Sequence, residues 1–415
     1  MWAGPRRALP ALTGVHSAGE EKASRVGAVI AMETLGRPVW TPRDYQSFAR
    51  EGYMQNPIVY RSVRMIAEAS ASIPLLLYEN AVEHETHPLL DLIAHPNAIQ
   101  TSVDFFESWY GYLLVAGNAY AEAVAVNDRV RELHALRPDR MTVIPGSEGW
   151  PEGFEYTANG RRVRFAGDAE TPGGVSPILH TKLFHPADDH YGMSPIEAAA
   201  TAIDIHNTAS GWNKALLDNS ARPSGALVYG NGAGRLTAEQ FERLKSELET
   251  SFQGAKHAGR PLLLEGGLDW KPLSLSPKDM DFLAAKNTAA REIALAIGVP
   301  PMLLGIPGDN TYSNYQEATR AFWRQTVLPL VTRTAKAMSG WLGPAFGGGL
   351  ELKPDLDRVD ALVPEREALW ARLNAASFLT LNEKREAAGY TPLDDGKEER
   401  SRPFEVARPA RFNDS

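Results

Sequence analysis

Residues 277–342 read PKDMDFLAAKNTAAREIALAIGVPPMLLGIPGDNTYSNYQEATRAFWRQTVLPLVTRTAKAMSGWL, a pattern of helix, rigid break, polar loop and longer helix. From Lys278 to Ile297, the residues Phe282, Leu283, Ile293, Ala294 and Ile297 recur mainly at helical spacing. Gly298 supplies a C-terminal stop, and Val299-Pro300-Pro301 cannot continue a helix, because proline offers no amide donor. Met302-Leu303-Leu304 is a short apolar plug before the loop Gly305-Ile306-Pro307-Gly308-Asp309-Asn310-Thr311-Tyr312. A second helix is expected from Ser313, with Ser313 and Gln316 as a capping box, carrying Tyr315, Phe322, Trp323, Val327, Leu330, Val331 and Met338 to a stop at Gly340 to Gly343. Pro329 sits well inside it. It deletes one backbone hydrogen bond and crowds the preceding turn, which predicts a kink near Gln325 to Leu328; two shorter helices meeting at an elbow is the alternative.

An ordered series of motifs carries a family resemblance. Leu262-Leu263-Leu264-Glu265-Gly266-Gly267, Trp270-Lys271-Pro272-Leu273-Ser274, Val299-Pro300-Pro301 with Leu303-Leu304-Gly305, Tyr312-Ser313-Asn314-Tyr315 and Phe322-Trp323 follow one another as in the portal proteins of tailed bacteriophages. The chain resembles the siphovirus or lambdoid type of that family from about Tyr45 to Asp395, with further matches at Gly117 to Glu122 and Leu136 to Met141. The resemblance extends equally to portals of prophages and gene transfer agents.

Composition sets limits of its own. The chain has 415 residues, 43% of them hydrophobic and 23% charged, enough for two or three packed units and too apolar for wholesale disorder. A formal net charge of −8 argues against a sequence-reading DNA binder, which would show a basic face. It is compatible with a wall past which DNA slides. With no cysteine, disulfides, thiolate metal sites and cysteine nucleophiles are excluded. No apolar run approaches the roughly 20 residues of a membrane span, and no signal peptide is read after Arg6 and Arg7.

Taken in order, residues 1–40 lack periodicity and are expected to form a mobile arm. Helices are expected within Asp44 to Met54, after Asn56-Pro57, at His87 to Ile93 and after a Thr101 cap. Strands are expected at Ile73 to Tyr78, Met141 to Ile144, Phe154 to Tyr156, Arg161 to Phe165 and Ile178 to Phe184. A hairpin of Ala119 to Val126 with Arg131 to Leu136 should turn at Asn127-Asp128. Ser194-Pro195-Ile196-Glu197 reads as a capping box opening an alanine-rich helix to about Asn219. Residues 223–276 read as β-α-β-β, with a helix from Thr237 to Phe252. Leu350 to Leu352 reads as a strand, and Pro364 to Asn374 and Asn382 to Ala388 as helices, the second capped by Thr380 and Glu383.

Three local patterns invite chemistry. His84-Glu85-Thr86-His87 lacks the spacing of a zinc-protease helix and runs into Pro88, so a loop is the better reading. Asp188, Asp189 and His190 could hold a divalent cation or serve a hydrolase, against the simpler reading of a polar lead-in to the Ser194 cap. Gly230 to Arg235 lacks the Gly-Lys-Ser/Thr ending of a phosphate loop. No catalytic set, metal site or cofactor is expected.

The resemblance implies an α+β portal fold in a closed ring of about twelve copies. Its parts would be an arm (1–40), a wing (41–193), stem helices (194–222 and 277–298), a clip (223–276), a tunnel loop region (299–312), a kinked helix with a return strand (313–359), a crown (360–399) and a flexible tail (400–415). Gly305, Pro307, Gly308, Asp309, Asn310, Thr311 and Tyr312 would face double-stranded DNA in the channel. Arg243, Lys245, Glu247, Lys256 and Arg260 would lie on the clip, which docks the terminase large subunit and then the head-tail adaptor. Wing and crown would meet the major capsid protein. The protein would sit at one capsid vertex, after assembly in the bacterial cytoplasm, with no membrane partner. A metal-dependent hydrolase and a monomeric DNA-binding module are the rivals, the latter disfavoured by the net charge.

Overall fold

The computed structural model describes residues 41–393, apart from 81, 128, 147–149, 168–173, 219–224, 230–236, 238, 240–241, 243–267, 273–281, 309–310 and 391. The expected arm, the helix and second strand of 223–276, the Gly230 to Arg235 turn and the tail lie outside the described residues.

Asp44 caps a short helix, Tyr45–Ser47, that widens into a π-helical turn over Phe48–Met54. Helix α1 (Pro57–Ala71) follows; Asn56 accepts from the amides of Ile58 and Val59, and proline fits the first position because its missing donor has no partner there. α2 (Pro88–Ala94) starts from His87, whose Nδ1 accepts from the Leu89 amide. α3 (Ser102–Ala116) opens with the Thr101–Asp104 capping box and ends at Gly117 with φ +74°. α4 (Ala200–Asp218), α5 (Phe282–Ile297), α6 (Tyr312–Phe322) and α7 (Leu328–Leu342) follow, then α8 (Val363–Ala375) and α9 (Leu381–Ala387), the last opened by a Thr380–Glu383 box.

All described strand pairs are antiparallel. β1 (Leu75–Glu79) is central in one sheet, between β2 (Val82–His84) and β11 (Leu350–Pro354), with Leu77 opposite Leu352. β3 (Asn118–Val126) lies between β4 (Arg129–Leu136) and β8 (Ile178–Lys182). β5 (Met141–Pro145), β6 (Pro151–Ala158) and β7 (Arg161–Ala166) form a meander, and β9 (Gly225–Tyr229) pairs with β10 (Leu268–Pro272).

The main core joins Val59, Val63 and Ile66 of α1, Phe105, Trp109 and Leu113 of α3, Ile293 and Ile297 of α5, and Val331, Ala335 and Met338 of α7. A smaller core of Tyr120, Leu136, Met141, Val143, Phe154 and Ile178 sits between the β3 and β6 sheets. Blocks of helices thus alternate with blocks of antiparallel strands along the chain, an α+β fold.

Two expected details are corrected. Ser194 accepts from the Ile196 amide at 3.0 Å and donates its hydroxyl to the Leu114 carbonyl at 2.9 Å, so it binds the end of α3 and forms no box with Glu197. The helix it opens is also interrupted. Pro195–Ala198 makes one turn, Ala199 relaxes to φ −89° and ψ −1°, and α4 starts at Ala200.

His180 on β8 stacks on Tyr120 at 4.3 Å between centroids, and its Nε2 donates to Asn118 Oδ1 at 3.0 Å. Burial, with a smaller contribution from Lys182, pushes its pKa down to about 4 from 6.5. The neutral ring is the folded form, so the unfolded chain takes up the proton first. Stability from this site should be complete above about pH 6.5 and be lost progressively towards pH 4, by on the order of 2–3 kcal/mol. Denaturation midpoints across that range should flatten in His180→Phe.

Candidate functional site

The loop after α5 is held at its root from three directions. Gly298 closes α5 at φ +90°, its amide bonding Leu295 O at 3.2 Å while the Val299 amide bonds Ala294 O at 2.9 Å. This Schellman geometry satisfies carbonyls that the helix end would leave open. Pro301–Leu304 then makes a single 3₁₀ turn ending at Gly305, φ +71°, where the Ile306 amide returns to Pro301 O at 3.2 Å. Ile306 is buried against Ala290 and Ala294 of α5. Arg291, nearly two turns before the end of α5, donates from Nη2 to the Pro307 carbonyl.

Beyond Pro307 the chain turns outward. Gly308 and Thr311 are exposed, Asp309 and Asn310 lie outside the described residues, and Tyr312 is 79% exposed. The cap of α6 is Thr311 and not Ser313, as the sequence pattern had indicated. Thr311 has the extended backbone a cap requires, and its hydroxyl accepts from the Asn314 amide at 3.2 Å. Gln316 turns instead to the Tyr312 hydroxyl at 3.2 Å. Residues Thr311–Glu317 are all exposed, so this stretch is presented away from the core.

Between α6 and α7 the helix continues through a π-helical turn, Trp323–Val327, in which the Leu328 amide reaches back to Trp323 O. Pro329 stands at the second position of α7. There its ring and missing amide meet a wider turn in place of a tight α ladder. The wide turn also presents Thr326, whose hydroxyl donates to the Gly298 carbonyl at 2.6 Å. The residue that closes α5 and the wide turn beyond α6 are thereby tied together. Thr326→Val should strip that carbonyl of its donor and lower stability by about 1 kcal/mol, read as a fall in Tm.

α4 runs beside α5 and is fixed to α1 by a buried polar cluster. Asn56 Nδ2 lies 3.2 Å from His206 Nδ1 and donates to Asn207 Oδ1 at 2.9 Å, while Asn207 Nδ2 donates to Glu51 O at 2.8 Å. Burial first, and then the charge of Lys286 on α5, lowers the His206 pKa and disfavours the charged ring.

The remaining expected site residues divide plainly. Gly305, Pro307, Gly308, Thr311 and Tyr312 come together on the loop; Arg243, Lys245, Glu247, Lys256 and Arg260 lie outside the described residues. Asp188 spends one carboxylate oxygen on the amides of His190 (2.7 Å) and Tyr191 (2.9 Å), and Lys182 bonds the Asp189 carbonyl, a capped turn leading to Ser194. Among the described residues no group of three or more His, Asp or Glu is arranged to hold a metal ion. No helix among them is long and apolar enough to cross a membrane. The sequence reading missed Arg291, Thr326 and Asn118, since each works through a backbone carbonyl or amide distant in sequence.

These elements define a class of architecture: a helical scaffold that presents one anchored loop. Comparison with known proteins gives the class its family. The sequence profile of the phage portal protein family matches residues 57–389. The fold superposes on a chain from the neck of an empty gene transfer agent particle, solved with C6 symmetry, at a TM-score of 0.68 and 55% identity, covering 89% of this chain and 100% of that one. A chain from the neck of a native particle, solved with C12 symmetry, matches at 0.66 and 55% identity, covering 86% and 96%. An uncharacterised protein of Rickettsia bellii is 42% identical over 349 residues, 83% of this chain and 89% of the relative. The chain belongs to the phage portal protein family, and its role is a structural one at the portal of a phage-like particle.

Proposed function

We propose that the protein assembles as a closed ring of about twelve copies at one capsid vertex and forms the channel through which double-stranded DNA is packaged and ejected. The C12 neck at 55% identity supports the copy number. The observation that carries the channel reading is the loop itself, fixed at its root to α5 and, through Gly298, to the wide turn before α7, while Thr311 to Glu317 stay exposed. A loop so held can meet a moving duplex without folding back on its own subunit.

In this reading residues 305–312 face the axis and α4 and α5 line the wall. The loop contains no lysine or arginine, so Asn310 and Thr311 meet phosphate by hydrogen bonds without ion pairing and leave the duplex free to slide. Residues 223–276 dock the terminase large subunit during packaging and the head-tail adaptor afterwards. Residues 41–193 and 360–399 face the major capsid protein. The chain performs no catalysis, and packaging is driven by the terminase. Assembly takes place in the bacterial cytoplasm before incorporation into the particle.

Negative-stain electron microscopy with mass photometry tests this directly. Rings with a central hole and a mass near twelve times 45.4 kDa are the expected result. A monomer or dimer that persists in the presence of the capsid and adaptor proteins would overturn it.

A further inference from the structure

We propose that Arg291 is the positioning residue for the root of the loop, residues 305–308, a clamp that sets the direction in which the chain leaves α5 for the channel. The inference rests on the channel reading above and adds to it a specific residue and mechanism.

Three observations meet at this side chain. Its guanidinium leaves α5 and donates to the Pro307 carbonyl, outside the buried Ile306 anchor and at the point where the chain turns away from the helix. Among the described residues Arg291 forms no ion pair, so the carbonyl is its one described partner. Gly308 is shaped around it: a Cβ there would lie 2.5 Å from Arg291 Nη2. Any side chain at that position would displace the guanidinium or the loop. Glycine here leaves room for the clamp, and its backbone φ is not in the left-handed region that would otherwise explain it.

The clamp suits its task physically. A planar guanidinium on a rigid helix fixes both the distance and the direction of the carbonyl it holds, which a lysine ammonium does less well. Ile306 alone fixes one point of the loop and leaves it free to pivot. A second point one residue on removes that pivot. Arg291 is thus the mechanical link between the α5 wall and the loop.

Hydrogen exchange on the full-length assembled ring tests the clamp, and DNA content of particles carrying the same variants tests its role. In Arg291→Leu the amides of Gly305 and Ile306 should exchange about tenfold faster, with ring mass and Tm unchanged and less DNA packaged per particle. Arg291→Lys should restore part of both. Gly308→Ala, which keeps Arg291 but crowds it, should reproduce the faster exchange and serves if Arg291→Leu fails to fold. Unchanged exchange at Gly305 and Ile306 overturns the clamp. Faster exchange with full DNA content overturns its role in the channel. Absence of rings in the wild-type protein, with the exchange effect intact in the monomer, would instead count against the channel reading and leave the clamp standing.

Discussion

Asn118→Ala should lower the stability of the protein by about 3 kcal/mol or more, the largest effect expected of any single polar substitution. Asn118 is 6% exposed and uses both ends of its amide. Oδ1 accepts from the Gly192 amide at 2.8 Å and from His180 Nε2 at 3.0 Å; Nδ2 donates to Ala116 O at 2.9 Å and to Gly192 O at 3.3 Å. Alanine leaves the Gly192 amide buried without a partner, which costs its full desolvation. The joint also permits no added bulk. A Cβ on Gly117, at φ +74°, would lie 2.4 Å from Gly192 O, and a Cβ on Gly192 would lie 2.1 Å from Gly117 O. Urea titration should show a lower midpoint with an unchanged slope; a midpoint within experimental error of wild type would refute the hub. Because Ser194, two residues after Gly192, ties the turn before α4 to the end of α3, the same change should also loosen that turn.

Trp109→Ala should cost a comparable 3–5 kcal/mol for a different reason. The indole is fully buried where α1, α3 and α7 meet; it stacks on Phe105 at 6.5 Å between centroids, and its Nε1 donates to Thr334 Oγ1 at 3.3 Å. Truncation would open a cavity that three helices cannot close together. Trp109→Phe, which retains most of the volume and loses the hydrogen bond, should recover most of the stability. Thermal unfolding of the pair separates packing from hydrogen bonding: equal losses in both variants would assign the effect to the indole N–H.

Much of the architecture was legible because local signals agreed. Asn56-Pro57, Thr101 to Asp104 and Thr380 to Glu383 each combine a capping oxygen with a compatible first turn, and each opens a helix where expected. Ser194 caps as expected but forms no box with Glu197, and the cap expected at Ser313 moves to Thr311. A serine before a helix can cap its own turn, but its hydroxyl can also serve a distant carbonyl, and an earlier threonine in an extended conformation can take the role. The loop was legible as a loop from its prolines and glycines. Its anchoring was not, since Arg291 looks like any solvated helix arginine until Pro307 is placed beside it. The match at Gly117 to Glu122 was visible as a pattern, and only the fold shows why those residues are needed: a glycine for close approach, an asparagine for four bonds and a tyrosine to stack on His180.

The pairing of β1 with β11 has a consequence for how the protein is made. Leu75 to Glu79 pair early with Val82 to His84 but find their second partner only when Leu350 to Pro354 have left the ribosome. At about 5–20 residues per second, the apolar β1 waits on the order of 15–60 s with one edge open. The Trp109 pocket waits almost as long, because Thr334 belongs to α7. The first sheet is therefore closed late in synthesis, by a strand that α8 and α9 still follow. A polypeptide released early would carry the loop and α5 but lack the strand that closes the first sheet. Such a product would be an aggregation hazard and a poor competitor for a place in the ring. Late closure thus acts as a check on completeness, favouring the entry of whole chains into the particle.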